Sequence, residues 1–141
     1  HAIRFILPNA RMAAGTYVHP ATHAGGPNGP AATVPYGVRM RLKADFDISR
    51  YDAAAQVLLR TMQRYGLVLA DGGNIALTGE ADRFTTAKWA DLGIDEHVFV
   101  HGTPSPQVTD FEIVDTGPRI ALTYDCVRTP DDFLFIDGYD F

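Results

Sequence analysis

Cysteine is nearly absent from this chain: Cys126 is the only one in 141 residues. No disulfide can form within the chain, and the thiol reads either as a small buried hydrophobe or as a bond to another chain. Also lacking is any apolar run of membrane-spanning length, for which a helix needs about 20 residues. Basic residues are few, 12 Lys and Arg against 17 Asp and Glu, for a net charge of −5. They nowhere form the dense stripe expected of a nucleic-acid-binding surface, which argues against DNA or RNA as a partner. No Asn-x-Ser/Thr acceptor occurs, leaving O-linked sugar on Thr103 or Ser105 as the glycosylation open to it. Nucleophile elbows, phosphate-binding loops and dinucleotide fingerprints are missing as well, and Gly72-Gly73 alone is a turn.

What is present describes a folded domain. Hydrophobic residues make up 46% and charged residues 21% of the sequence, enough for a single core in one domain spanning residues 1–141. The chain opens on His1-Ala2-Ile3-Arg4-Phe5, strand-like from the start and without the loose polar residues usual at a free terminus. Two expectations follow: an upstream segment has been removed, or a histidine is needed at the first position.

Ile3, Phe5 and Leu7 alternate until Pro8, which predicts a strand. Residues 24–35 hold Gly25-Gly26-Pro27-Asn28-Gly29-Pro30 and predict a loop, since Gly and Pro interrupt both helices and central strands. Val38, Met40, Leu42 and Ala44 alternate with Arg39, Arg41 and Lys43, giving a strand with an apolar face and a cationic one. The spacing of Ala55, Leu58, Met62 and Tyr65 predicts one main helix over residues 52–65, with Ser49 and Asp52 resembling a capping box and Gly66 as the stop. A hairpin is expected from residues 67–70 and 75–78 across Asp71-Gly72-Gly73-Asn74, and a short helix over 85–92. Further strands are expected at 98–100, 110–114, 119–127 and 133–136. The sum is a β-dominated α+β fold, with antiparallel sheets arranged as a sandwich or barrel around one helix.

His1-Ala2-Ile3-Arg4-Phe5, Tyr17-Val18-His19-Pro20-Ala21-Thr22-His23, Gly37-Val38-Arg39-Met40-Arg41-Leu42-Lys43-Ala44 with Phe46-Asp47-Ile48-Ser49, Tyr65-Gly66-Leu67-Val68-Leu69-Ala70-Asp71 and Thr109-Asp110-Phe111-Glu112-Ile113-Val114 occur in that order. Together they resemble the C-terminal part of a group of secreted bacterial proteins with no established activity. The resemblance covers roughly residues 1–115, leaving 116–141 as a C-terminal β extension. It implies an extracellular location. In the longer relatives the histidine matching His1 is internal, which implies that this chain is the C-terminal product of a cleaved precursor or a stand-alone form of the domain. Relatives often carry Trp where this chain has His19, so the resemblance points to His1 and His23 rather than His19 for any shared site.

Three chemistries are open to the polar residues. His1 with its amine, joined by His23 and with His19 nearby, suits a planar copper(II) site of nitrogen ligands, while Pro20 rules out a helical two-histidine motif. Asp71 and Asp110 stand at the end and the start of strands and form a candidate hydrolytic pair, because a glycosidase needs two carboxyls flanking one bond. Asp137 and Asp140, beside Asp131-Asp132, offer hard oxygen ligands to calcium without EF-hand spacing. Beside these stands a purely structural reading. The chain begins as a strand, and its end, Phe133-Leu134-Phe135-Ile136 onward, is apolar. Such termini suit strand addition to a neighbour. The expectation is a secreted structural or adhesive domain that self-associates by strand pairing at its termini, as a fibre or surface-layer subunit. Its partners would be its own kind, the upstream half of its precursor, or surface polysaccharide. The competing expectation is a polysaccharide-active enzyme, oxidative through copper at His1 and His23 or hydrolytic through Asp71 and Asp110.

Overall fold

The computed structural model describes residues 1–100 and 104–123. It is α+β and dominated by strands, as expected, but the strands form two mixed sheets that do not close into a barrel. The larger sheet has the order β6-β1-β5-β4-β7, built from β1 (Ile3–Leu7), β4 (Arg39–Leu42), β5 (Leu67–Gly72), β6 (Ala76–Thr78) and β7 (Phe111–Val114). The smaller has the order β3-β2-β8, from β2 (Met12–Tyr17), β3 (Val34–Tyr36) and β8 (Ile120–Ala121).

Two pairings run parallel, β1 with β5 and β2 with β3. The expected hairpin of β5 and β6 therefore does not form. β1 lies between them, parallel to β5 and antiparallel to β6. Both edges of β1 are thus occupied, which corrects the expectation that the first strand offers a free edge to a partner. The apolar segment at 133–136, the acidic residues Asp131, Asp132, Asp137 and Asp140, and Cys126 lie outside the described residues, as do His101 and Thr103.

The one α-helix among the described residues, α1 (Ala53–Arg64), begins at Asp52, whose side chain accepts a hydrogen bond from the Ala55 amide. Asp52 is thus the N-cap itself rather than the acidic partner of Ser49. Ser49 turns back to donate to Asp47 instead. Gly66 ends the helix at φ +77°, where a Cβ would stand 2.5 Å from the Met40 carbonyl oxygen, so only glycine fits this stop.

Ala55, Leu59 and Met62 form the buried stripe of α1, not Leu58 and Tyr65. They cover one face of the larger sheet and join Phe5, Leu42, Leu67 and Leu69 in the core, with Tyr51 and Val98. Burying a Leu fully against such neighbours stabilises the fold by about 2 kcal/mol. The opposite face is polar. Arg4 stands opposite Thr78 on one side and Val68 on the other, and Arg39 lies between Val68 and Val114.

Residues 98–100 form turns rather than a strand. Asp95 accepts from the His97 amide with its side chain and from the Val98 amide with its carbonyl, bending the chain so that Val98 enters the core. The helix expected over 85–92 reduces to a 3₁₀ turn at Ala90–Leu92 that Gly93 ends at φ +69°. Among the described residues, no helix is long and apolar enough to cross a membrane.

Candidate functional site

The carboxyl ends of the parallel pair β1 and β5 gather the first group of polar side chains, a position where open sheets commonly hold ligands. Ile6 pairs with Asp71 and Leu7 with Gly72. Arg4 spans three strands here, donating to the Asp71 carboxylate and the Thr78 hydroxyl at 2.8 Å each. The second oxygen of Asp71 accepts from the Gly72 amide at 2.8 Å. Asp71 is therefore engaged at both oxygens as a cross-strand tie.

Tyr36 comes alongside because the chain continues from β3 into β4 past β5. The Gly37 amide donates to the Leu69 carbonyl, and the Leu69 amide to that of Val38. Its ring is 3% exposed. Burial and the negative Asp71 raise the pKa of its hydroxyl, partly offset by the Gly72 amide and Arg4. It stays a neutral phenol at ordinary pH. His23 meets the Tyr36 ring edge-on, with centroids 6.1 Å apart. Beside them a shallow cleft of about 250 Å³ is lined by Ala21, Thr22, His23, Val68 and Ala70. Gly72 leaves room for Asn9, since a Cβ there would stand 3.0 Å from the Asn9 Cγ and closer still to its oxygen.

Asp110 belongs to the other end of the same sheet. Arg39 faces both Val68 and Val114; Asp71 lies three residues beyond Val68 in one direction, and Asp110 four residues before Val114 in the other. At about 3.3 Å per residue the two carboxylates are roughly 20 Å apart. A glycosidase pair needs about 5 to 9.5 Å, so Asp71 and Asp110 do not form one. Asp110 instead accepts from the Gln107 amide at 2.7 Å. It lines a recess of about 350 Å³ with Lys43, Asp45, Phe46, Asp47 and Arg50. Asp47 accepts from the Ser49 hydroxyl at 2.6 Å and the Ser49 amide at 2.9 Å. These two bonds, with Arg50 nearby, hold its carboxyl below the usual carboxylate range.

Of the three histidines considered for copper, His19 and His23 share the segment between β2 and β3, and His1 lies apart at the start of β1. His1 precedes β1 and is exposed, His19 is exposed after β2, and His23 packs on Tyr36. Among the described residues no group of three or more His, Cys, Asp or Glu is placed to hold a metal. The three-histidine set is thus not assembled. The calcium candidates Asp137 and Asp140 lie outside the described residues.

The β7 side, one of the two edges of the larger sheet among the described residues, forms the third feature. The Lys43 amide donates to the Asp110 carbonyl, which fixes the alternation along the β4–β7 ladder. The Asp110 carbonyl and the backbone groups of Glu112 and Val114 face β4, while the Phe111 carbonyl and both groups of Ile113 face outward, the Phe111 amide being bonded to the Val108 carbonyl. Among the described residues no strand pairs with that outward side. Ile113 lies on the α1 face of the sheet at its margin and is 61% exposed. On the other face Arg41 holds Glu112 through two nitrogens, at 2.6 and 2.9 Å from one oxygen. Arg39, two residues away on the same face, makes no ion pair or hydrogen bond with a described side chain, while its stem packs over Gly66. The Arg39 and Arg41 alternation was visible in sequence as a cationic face. Tyr36, Asn9 and the role of Arg4 carried no sequence signal, because their neighbours come from distant strands.

No protein-family model matches this chain, and neither a curated protein nor a solved structure is significantly similar to it.

Proposed function

We propose that this is a structural, adhesive domain that self-associates through the β7 edge of its larger sheet. The observation that carries the reading is β7, an edge strand with outward backbone groups and a 61% exposed Ile113. Such an edge is a template for another strand, and soluble proteins commonly blunt it with Pro, Lys or a bulge. β7, Phe-Glu-Ile-Val, has none of these, and its one charge is already matched by Arg41. The reading moves the pairing from the chain's first strand, which is internal, to β7. An extracellular setting is supported by the resemblance of residues 1–115 to secreted bacterial proteins.

Sedimentation over a dilution series tests it. Dimers or larger species that dissociate on dilution are expected, with Ile113→Lys shifting the protein to monomer. A wild-type chain that stays monomeric at every concentration would sink the proposal.

Surface polysaccharide is the second partner in this reading, favoured by one observation. Phe84 is 92% exposed at the tip of a braced turn. There the Lys88 ammonium bonds the Asp82 and Arg83 carbonyls, and the Asp82 carboxylate accepts from the Trp89 amide. The Arg83 guanidinium stands over one face of the ring, 5.3 Å from its centroid, and the other face is offered to the C–H bonds of a sugar from a turn that is already ordered. Affinity electrophoresis in polysaccharide-loaded gels tests it: retardation should be lost in Phe84→Ser, and equal retardation of both proteins refutes it.

A further inference from the structure

We infer that two copies pair as a two-fold symmetric dimer, β7 antiparallel to β7, centred on Ile113. This rests on the self-association reading above and adds its geometry and register.

Hydrogen-bond alternation limits the choices. Within β7 Ile113 turns both its N–H and C=O outward and Phe111 its C=O, while the Phe111 N–H is taken by the Val108 carbonyl, so a second strand must present its own outward groups to these. Antiparallel symmetry then leaves two well-overlapped registers. One sets Ile113 opposite Ile113 of the second copy. The other sets Phe111 opposite Ile113 and Glu112 opposite Glu112.

Charge decides between them. The second register places two carboxylates directly across from each other in a non-hydrogen-bonded pair, where side chains are closest and like charges destabilise. It also ends early, because Asp110 belongs to the 3₁₀ turn at Val108–Asp110 rather than to the strand. The first register joins the two exposed Ile113 side chains on the α1 face. On the other face it sets Glu112 beside Val114 of the second copy.

Next to that Val114 stands Arg39, its partner in the ladder. Across the junction the row therefore reads Arg41, Glu112, Val114 of the second copy, Arg39 of the second copy. Arg39 and Glu112 are two strand spacings apart, about 10 Å between Cα atoms, within the combined span of the two side chains. Arg41 occupies one oxygen of Glu112, and the other is left for this contact. Two features without partners among the described residues, the Ile113 side chain and the Arg39 guanidinium, are each satisfied by the same symmetry operation. Two-fold pairing is self-complementary and closes.

Single cysteines in a Cys126→Ser background test the register under mild oxidation. Ile113→Cys should give a covalent dimer, since paired Cα atoms about 5.5 Å apart suit a disulfide, and Glu112→Cys should not. Charge exchange provides an independent reading. Arg39→Glu and Glu112→Arg should each weaken self-association by about tenfold, because each sets two like-charge contacts across the dimer. An equimolar mixture should recover much of it, because both contacts across the mixed dimer then join opposite charges, while the loss of the Arg41 pair within the Glu112→Arg copy is the same in the mixture as in that variant alone. A dimer that cross-links through position 112 and not 113, or a mixture no stronger than its components, overturns the register while leaving self-association standing. A wild-type monomer at all concentrations overturns both.

Discussion

Gly37 and Gly15 both sit at positive φ, +86° and +65°, yet replacing each with alanine should have very different consequences. An L-residue in this region costs roughly 1–2 kcal/mol from its own backbone, and alanine recovers part of a kcal/mol by stiffening the unfolded chain. At Gly15 nothing lies within 4 Å of the added methyl, so Gly15→Ala should cost about 1 kcal/mol. At Gly37 the methyl would overlap the Val18 carbonyl, 2.8 Å from its carbon, with Ala21 Cβ at 3.0 Å. Relief requires the Val18 segment to move away. That strains the Val18 amide bond to the Tyr36 carbonyl, the Ala21 amide bond to the Val18 carbonyl and the Gly37 amide bond to Leu69. At about 1 kcal/mol for each bond lost, Gly37→Ala should cost about 4 kcal/mol. Urea unfolding of the two variants gives the comparison directly: the midpoint should fall slightly for Gly15→Ala and several-fold further for Gly37→Ala, with unchanged slope. Equal midpoints would show that backbone strain alone sets the cost and that the close approach of Val18 is not rigid.

Three other outcomes are expected. Asp52→Ala removes the α1 cap and should lower stability by about 1 kcal/mol, while Asp52→Asn should keep most of it; urea midpoints separate the two. Tyr36 has a raised hydroxyl pKa, so its contribution is complete below the ordinary tyrosine value and is lost as pH rises through the higher folded one. Burial raises the pKa of the Tyr51 hydroxyl as well, so tyrosinate absorbance should show two late-ionising groups, one of which disappears in Tyr36→Phe, and a titration identical in both proteins refutes the assignment. Asp47 is depressed, so its contribution is present above the ordinary carboxylate range and is lost as pH falls through its folded value. In Ser49→Ala, which removes the hydroxyl bond and keeps the amide one, its carboxyl resonance should titrate at a higher pH than in the wild type, and an unmoved midpoint refutes the role of the Ser49 hydroxyl.

Local pattern was legible where it was decided locally. The alternation of Ile3, Phe5 and Leu7 marks β1, Gly66 marks the end of α1, and Phe111–Val114 reads as a strand. Where two local solutions were equivalent, packing chose. Ala55-Leu58-Met62 and Ala55-Leu59-Met62 are equally helical in spacing, and the core took the second. Val98 and its neighbours have strand-forming side chains, but Asp95 offers side-chain and backbone acceptors that bend the segment first, as Asp does in turns. The hairpin expected at Asp71-Gly72-Gly73-Asn74 failed because β1, far away in sequence, inserts between β5 and β6. No local property of residues 67–78 encodes that insertion. The same insertion brings Arg4 to Asp71 and Thr78, which turned a proposed catalytic carboxylate into a tie between strands.

The internal position of β1 also sets the order in which this fold can be made. Ile3 has no strand partner until Leu67 has been synthesised, and Arg4 must wait further for Thr78. Parallel pairing over such a separation carries a large loop-closure cost before any contact rewards it. Helix α1, whose contacts are local, can form during that interval, whereas the larger sheet can only assemble around it late. Until then the apolar residues Ile3, Phe5 and Leu7 stay uncovered. During synthesis β1 therefore waits without either of the two strands that enclose it on both sides in the finished domain.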